Sequence, residues 1–261
     1  MRNVEPEVFL VARPSVDYQA LAGYLSEVGG ERWLERLDRD QFGDAENLAE
    51  FAGKMCYRSW EPGLNPNVRR VRDDHAKYLE NILRSGHGSV LEHVSFTFVL
   101  HNVSRVFTHE LIRHRPGTAI SQESLRFVRL DEIPFWFPDW AREDPELLKR
   151  ATALLAEMEA FQGWMADHFK LDDEGVPFHE KKHKTSFMRR LAPDGVATGV
   201  VWTANIRALR HTIEMRTDPG AEEEIRLVFN RIAEIMRAEA PALFGDYTVT
   251  DGAWVPGWRK V

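Results

Sequence analysis

The chain has 261 residues, of which 43% are apolar, and carries a formal net charge of −7 at pH 7. A chain of this length encloses one main core, so we predict a single domain over residues 1–261, with residues 1–45 as an accessory N-terminal segment. The acidic charge argues against a broad nucleic-acid-binding surface and leaves a local basic pocket as the place for a small anion. The single cysteine, Cys56, excludes an intrachain disulfide and a cysteine-rich zinc site. Because neither a secretory signal nor a run of about twenty apolar residues is present, we expect a cytoplasmic protein.

The first predicted elements are two helices and a strand. Apolar residues at helical spacing predict helices over residues 45–55 and 73–84, and Gly86 is expected to stop the second. Residues 94–101, VSFTFVLH, are rich in β-branched and aromatic side chains and predict a strand.

Capping residues predict the helices that follow. Asn102 or Ser104 can cap a helix that runs through Leu111 and ends at Arg113. Further along, Asp144 before Pro145 is a strong start signal for a long amphipathic helix.

The C-terminal part adds a second strand and two helices. Residues 200–203 read as extended, Asn205 can cap a helix over residues 206–215, and Asp218-Pro219 is expected to open the last helix. These patterns predict an α+β fold, with a central, mostly antiparallel sheet covered by helices. No GxGxxG turn occurs, so no Rossmann unit is predicted.

Polar chemistry concentrates after the third helix. Arg113, His114 and Arg115 precede Pro116-Gly117, which breaks the helix into a loop rich in hydroxyl groups. We interpret the triplet as three cationic groups suited to a ligand that carries phosphate. Taken alone, the triplet is weak evidence for a ligand site, because a solvated helix end whose cations offset the helix dipole explains it better.

A second cluster strengthens the ligand interpretation. Arg207, His211 and Glu214 are spaced by three or four residues, which puts them near one face of a helix. Arg216 follows two residues later. Such a face favours an anionic ligand.

Together these segments resemble the flavin-dependent thymidylate synthases. The likeness rests on the RHR triplet followed by Ser124, on GHGSVLEH over residues 86–93, on THEL over residues 108–111, and on Asn205-x-Arg207 with Arg216 downstream. It runs roughly over residues 45–238. Eight residues separate Arg115 from Ser124, where the family usually has seven. This difference bears on the nucleotide, because some relatives methylate UMP rather than dUMP.

The resemblance implies an enzyme that methylates dUMP at C5 to give dTMP, or alternatively a UMP C5-methylase on the same fold. It implies FAD as cofactor, methylenetetrahydrofolate as carbon donor, NADPH as reductant, and a homotetramer with shared active sites. The residues that it assigns to FAD are His87, Ser89, Arg113, His114, Arg115, Glu123, Asn205, Arg207 and His211. Those that it assigns to the nucleotide are Glu110, Glu123, Ser124, Arg126, Arg189 and Arg216, and it gives catalytic roles to Arg216, Ser124 and His87.

Several residues keep a structural alternative. Cys56 is expected to be buried in packing, with a flavin-pocket contact as the alternative. Arg189 and Arg190 can simply cap a helix over residues 180–191, and Glu92 can serve as the partner of a buried His93 instead of contacting flavin. His179 and His183 lie four residues apart, but lysines stand between them and no third ligand is evident, so no metal is predicted.

Two other functions compete with the resemblance. A metal-dependent nucleotide phosphohydrolase would need a His-Asp pair or clustered carboxylates, and no His-Asp pair occurs. An RNA-binding module could use the arginine-rich loop, but it conflicts with the acidic net charge. Yellow colour in the purified protein would disfavour both.

Overall fold

The structure is a computed structural model that describes residues 1–68, 71–126 and 132–261. Within these residues the helices are α1 (Tyr18–Val28), α2 (Glu31–Glu35), α3 (Asp44–Tyr57), α4 (His75–Ser85), α5 (Arg105–Leu111), α6 (Asp139–Arg142), α7 (Pro145–His168), α8 (Phe178–Met188), α9 (Ile206–Arg216), α10 (Glu223–Glu239) and α11 (Pro241–Phe244). Short 3-10 helices cover Gly88–His93 and Arg189–Leu191. The strands are β1 (Arg2–Asn3), β2 (Glu7–Ala12), β3 (Ser95–Ser104), β4 (Thr118–Gln122), β5 (Pro134–Phe135), β6 (Ala197–Asn205), β7 (Tyr247–Thr250) and β8 (Ala253–Pro256).

The main sheet has four strands in the order β2-β3-β6-β4 and is antiparallel. Two backbone hydrogen bonds set the register of β4 on β6, because Glu123 N–H donates to Gly199 O and Asn205 N–H donates to Gly117 O. Their residue numbers run in opposite directions, as antiparallel pairing requires. The predicted α+β class is therefore confirmed, and both predicted strands lie in this sheet as neighbours.

The chain divides into two compact units. Unit 1 comprises Met1–Phe9, Val99–Arg113 and Ile120–Trp202, and unit 2 comprises Leu10–Phe98, His114–Ala119 and Thr203–Val261. One core of unit 1 is built around Ile133, Phe137, Ala141, Leu155 and Val196. In unit 2, Leu25, Trp33 and Trp60 form a separate cluster. The single-domain organisation and the accessory role of residues 1–45 stay predictions.

Local capping signals predict most helix ends correctly. Asp74 accepts from Lys77 N–H at the start of α4, and Gly86 ends this helix with φ 74°. Asp144 and Asn205 cap α7 and α9 in the same way. Of the two alternatives before α5, Ser104 is the cap, because its side chain accepts from Phe107 N–H.

The structure corrects three boundaries. Asp218-Pro219 does not open the last helix: the Asp218 side chain accepts from Gly220 N–H in a turn, and α10 starts at Glu223 with Glu222 as its cap. Helix α5 ends at Leu111 rather than at Arg113. The helix expected over residues 180–191 is α8, followed by the 3-10 turn Arg189–Leu191.

A buried arginine fastens α9 to the C-terminal segment. The Arg210 side chain is 1% exposed, and its guanidinium donates two hydrogen bonds to the Asp246 carboxylate, at 2.7 and 2.8 Å. It also donates to Leu243 O and Trp258 O. A buried charge is stabilised when it is paired and hydrogen-bonded, so this network fixes how α9 is rotated, with Arg210 Nε alone lacking a partner among the described residues. Arg207 and His211 remain exposed on this helix.

Among the described residues, every helix falls short of the length and apolar character that crossing a membrane demands.

Candidate active site

The loop after α5 is hydrogen-bonded to the residue that caps α9 in unit 2. Asn205 caps α9 by accepting from Ala208 N–H at 2.9 Å, and its own N–H donates to Gly117 O at 2.9 Å. Gly117 has φ 71°, and a Cβ built there would lie 2.5 Å from Asn205 Nδ2. Only glycine therefore allows this approach. Thr118 Oγ1 donates to His114 O at 2.6 Å and closes the turn.

His114, the central residue of the RHR triplet, is buried and contacts the other end of α9. Arg216 Nε donates to His114 Nε2 at 2.7 Å, and the His211 ring lies 6.1 Å from the His114 ring, edge to face. Burial first, then the nearby charges of Arg216 and His211, lowers the pKa of His114 to about 4. The triplet is therefore two arginine cations around a neutral imidazole, which corrects the expectation of three cationic groups.

A cavity of about 330 Å³ in unit 2 lies beside Arg207. Its lining includes Tyr57, His87 and Ser89, and the Tyr57 and His87 rings stack with centroids 6.3 Å apart. Cys56 also lines it and is exposed, so the expectation of a buried cysteine is wrong. This volume lies at the lower end of the range that binds small organic ligands.

Arg207 lies against the 3-10 helix Gly88–His93. Its Nη1 donates to Glu92 Oε1 at 2.5 Å, and both side chains are about half exposed, at 49% and 48%. A Cβ on Gly88 would come within 2.8 Å of Arg207 Nε, so the glycine makes room for the guanidinium. His93 is exposed, which rules out the interpretation of Glu92 as the partner of a buried histidine.

In unit 1, Glu123 ends the pairing of β4 with β6. Its carboxylate accepts from Gly199 N–H at 3.0 Å, while its own N–H donates to Gly199 O at 3.0 Å. The side chain therefore takes the N–H that a continuing strand would bind through its carbonyl group. Directly after it, Ser124 Oγ accepts from Arg126 N–H at 3.3 Å, and Arg126 O accepts from the Thr185 hydroxyl at 3.1 Å.

The exposed face of the sheet beside Glu123 forms a groove of about 310 Å³ within unit 1. Val99 and His101 of β3, Val201 of β6 and Ser121 of β4 line it together with Glu123. Alternating residues of a strand share one face, which explains why these positions meet.

Two further residues of unit 1, which sequence reasoning missed, share a property with Arg126. Arg105 Nη1, Gln122 Nε2 and Arg126 Nε are buried donors without a hydrogen-bond partner among the residues that the structure describes. Arg105 N–H donates to Val196 O and Glu123 N–H to Gly199 O, so both segments lie along residues 196–199, three residues or about 10 Å apart. Buried donors normally have partners, and an anionic ligand is one group that would satisfy these donors. Gln122 lies in the segment between the RHR triplet and Ser124, whereas Arg105, directly after the capping Ser104, lies outside every motif described above.

The other predicted site residues are more dispersed. Arg113 of unit 1 and Arg115 of unit 2 are exposed, and Glu110 on α5 is partly buried. Arg189 is exposed at the C-terminal end of α8, so the capping interpretation and the nucleotide interpretation both stand. Glu214 forms an ion pair with Arg259 at 3.1 Å.

The donor set suits an organic anion. Guanidinium, hydroxyl and amide groups dominate it, and these bind phosphate and carbonyl oxygens. Within the described residues, no group of three or more His, Cys, Asp or Glu side chains could hold a metal ion.

Comparison with known proteins identifies the family. The model of the family "Thymidylate synthase complementing protein" matches residues 39–242. The chain is 37% identical over 205 residues to the flavin-dependent thymidylate synthase of Mycolicibacterium gilvum (strain PYR-GCK), covering 78% of this chain and 80% of that protein. It is 35% identical over 215 residues to the protein of the same name from Corynebacterium diphtheriae, and 37% identical over 221 residues to that from Mycobacteroides abscessus; each match covers 80% of this chain and 83% of the relative. The chain belongs to the thymidylate synthase complementing protein family.

Proposed function

We propose that this chain is a flavin-dependent thymidylate synthase that methylates dUMP at C5 to give dTMP. Methylenetetrahydrofolate is the carbon donor, FAD is the cofactor and NADPH is the reductant. The family match and the names of the relatives support the reaction class. The chain's own residues support two kinds of binding site, one for a flavin dinucleotide and one for a nucleotide. We further propose the α+β fold of this family, without a Rossmann unit.

The residues proposed for FAD fit a flavin dinucleotide. In unit 2, His87, Ser89 and Arg207 border the cavity of about 330 Å³, and Gly88 leaves space for the Arg207 guanidinium. His114, Arg115, Asn205 and His211 lie on the adjoining loop and on α9 or its cap, and Arg113 and Glu123 belong to the same proposed set. When bound, FAD supplies the hydride that completes reduction of the transferred carbon. The protein's own task is to bind and orient the reactants, with His87 as an orienting group.

The observation that carries the proposal is the group of buried donors on Arg105, Gln122 and Arg126. A nucleotide phosphate would satisfy them, and arginine binds phosphate through two parallel hydrogen bonds. Ser124, whose hydroxyl is held near Arg126 N–H, adds a donor close by. Glu110, Glu123 and Arg189 complete the proposed nucleotide set in unit 1.

Arg216 is the residue that we assign to the pyrimidine. Its guanidinium would donate to a uracil carbonyl oxygen and stabilise the enolate-like charge that develops on the pyrimidine during methyl transfer. This stabilisation is electrostatic, so no protein nucleophile is required. Ser124 would contact the nucleotide through its hydroxyl group.

The spacing of eight residues between Arg115 and Ser124 is the feature that we connect to substrate choice. Strand β4 occupies most of this interval, and Ser124 follows the point where Glu123 ends the strand. A 2′-hydroxyl on the ribose needs room or a partner at the nucleotide, so this segment is where dUMP and UMP would be distinguished. A UMP C5-methylase is therefore the alternative function.

The test is an anaerobic single turnover. The reduced, FAD-loaded protein is mixed with methylenetetrahydrofolate and either dUMP or UMP, and flavin oxidation and methylated product are followed together. Product from dUMP supports the synthase, and preference for UMP supports the alternative. A protein that binds no flavin, or forms no product with either nucleotide, refutes the proposal.

We also propose that the enzyme acts as a homotetramer with active sites shared between subunits. Sedimentation velocity of the FAD-loaded protein tests this directly. A single species of four times the chain mass is expected, and a monomer that turns over at full rate would contradict it.

A further inference from the structure

The contact between His114 and Arg216 fixes which atoms carry protons. Arg216 Nε lies 2.7 Å from His114 Nε2, and the structure assigns the arginine as donor. A guanidinium has no acceptor and stays protonated. His114 Nε2 must therefore be an unprotonated acceptor, which puts the imidazole proton on Nδ1.

A charged imidazole is incompatible with this contact. Protonation would put a second N–H against the guanidinium and would bring two cations together in a buried place, since His114 is 9% exposed. The charged or titratable groups near the ring are Arg216 and His211 of α9, with Arg113 and Arg115 beside it in the chain. None of these provides a negative charge that would favour the imidazolium form.

The imidazole is also held in place from its own backbone. Thr118 Oγ1 donates to His114 O, and Gly117 O accepts from the N–H of Asn205, the cap of α9. The loop thus contacts Asn205, the cap of α9, through its main chain and Arg216, the last residue of α9, through the His114 ring. Because the helix itself is anchored by Arg210, both partners of the hydrogen bond are fixed.

We propose that His114 is a positioning residue, a neutral imidazole that holds the Arg216 guanidinium in the orientation in which it meets the nucleotide. This inference rests on the proposed function, in which Arg216 contacts the pyrimidine. It adds to the role that the family resemblance gives to His114, because the histidine would act on the nucleotide through Arg216 as well as contacting FAD. An arginine side chain has several rotatable bonds, and a hydrogen bond at Nε fixes the plane of its guanidinium.

The first experiment is a double-mutant cycle on nucleotide binding to the FAD-loaded protein, measured by calorimetry with dUMP and with UMP. His114→Gln keeps an acceptor and is expected to retain affinity for the preferred nucleotide within about threefold, whereas His114→Phe removes the acceptor and weakens binding about tenfold or more. All variants are measured with FAD at saturation, because His114 also belongs to the set proposed for FAD. In an Arg216→Lys background, His114→Phe should have no further effect. His109→Phe, which removes an exposed imidazole from α5, is the matched control.

The cycle overturns the proposal if His114→Phe weakens nucleotide binding to the same extent in the wild-type and Arg216→Lys backgrounds. The proposal is also overturned if His114→Gln weakens nucleotide binding as much as His114→Phe does.

A second measurement is independent of ligands and of the proposed reaction. Solid-state ¹⁵N NMR of histidine-labelled protein, compared with His114→Gln to assign the signal, is expected to show His114 as a neutral Nδ1–H tautomer at pH 7. In Arg216→Lys this signal should move. A protonated ring, or an Nε2–H tautomer, at pH 7 overturns the inference even if the protein is an active synthase. A neutral Nδ1–H ring in a protein that binds neither flavin nor nucleotide supports the contact and refutes only the proposed function.

Discussion

Replacing Gly117 with alanine tests the contact between the loop and α9. The residue has φ 71°, where an L-residue is strained by about 1–2 kcal/mol. The added Cβ would also lie 2.5 Å from Asn205 Nδ2 and 2.7 Å from Oδ1, which displaces the amide that caps α9. Loss of such a cap destabilises a protein by about 1 kcal/mol. We therefore expect Gly117→Ala to lower the free energy of unfolding by roughly 2–3 kcal/mol.

Gly63 offers a matched control. It also has a positive φ, 91°, but no described atom lies within 4 Å of its built Cβ. Gly63→Ala should therefore show the backbone strain alone, about 1–2 kcal/mol. The difference between the two variants measures the clash with Asn205.

The assay is urea unfolding of both variants at equal protein concentration, together with titration of FAD. Gly117→Ala should also lose FAD affinity, because the displaced loop carries His114 and Arg115. Adding Asn205→Gly to Gly117→Ala removes the crowded amide, so the two changes should be less than additive. Equal destabilisation by Gly117→Ala and Gly63→Ala, with FAD affinity unchanged, would refute the reasoning.

Three further predictions concern charge. The folded-state pKa of His114 is about 4, below its unfolded value, so between pH 6.5 and 4 only the unfolded chain binds this proton, and the free energy of unfolding should fall by up to about 3 kcal/mol as pH drops through this range. His114→Gln should abolish that part of the pH dependence in urea titrations. An unchanged pH dependence in this variant would contradict the prediction. Glu92→Gln removes the carboxylate beside Arg207 and should change the free energy of unfolding by less than about 1 kcal/mol, since the ion pair is half exposed. The same variant should tighten FAD binding at low salt, and equal FAD affinity in fluorescence titrations across salt concentrations would count against a flavin role for Arg207. Arg105→Gln should raise the nucleotide KM about tenfold or more without loss of flavin, and an unaltered KM would remove Arg105 from the nucleotide site.

What the sequence predicts well is what neighbouring residues decide. Ser104, Asp144 and Asn205 cap helices because their side chains reach N–H groups two or three residues away. The prediction that Asp218-Pro219 opens the last helix failed for the same physical reason, since the Asp218 side chain accepts a hydrogen bond within a turn and Glu222 caps α10 instead. Local competition between two capping residues cannot be resolved from their types alone.

What the sequence does not predict depends on distant partners. Glu92 and Arg207 are 115 positions apart, and His114 and Arg216 are 102 apart, so neither pair follows from spacing. The neutral state of His114 needs its burial as well as its neighbour. The place of β2 in the main sheet is equally non-local. The pairing of β7 with β8 is local instead, because only Asp251-Gly252 separates the two strands, and this dipeptide is a hairpin signal in the sequence. By contrast, the motif residues on α9 could be grouped because they share one helix.

The anchoring of α9 by Arg210 has a consequence for the order in which the protein forms during synthesis. Asp246 and Trp258, which satisfy the guanidinium, are made after the whole of α9 and the RHR loop. They also lie beyond residues 39–242, the part that matches the family. Until they emerge from the ribosome, the helix carries an unpaired cation on the side that must be buried. A nascent chain stalled before Asp246 would therefore hold every motif residue of the proposed site and still present no rigid place for flavin.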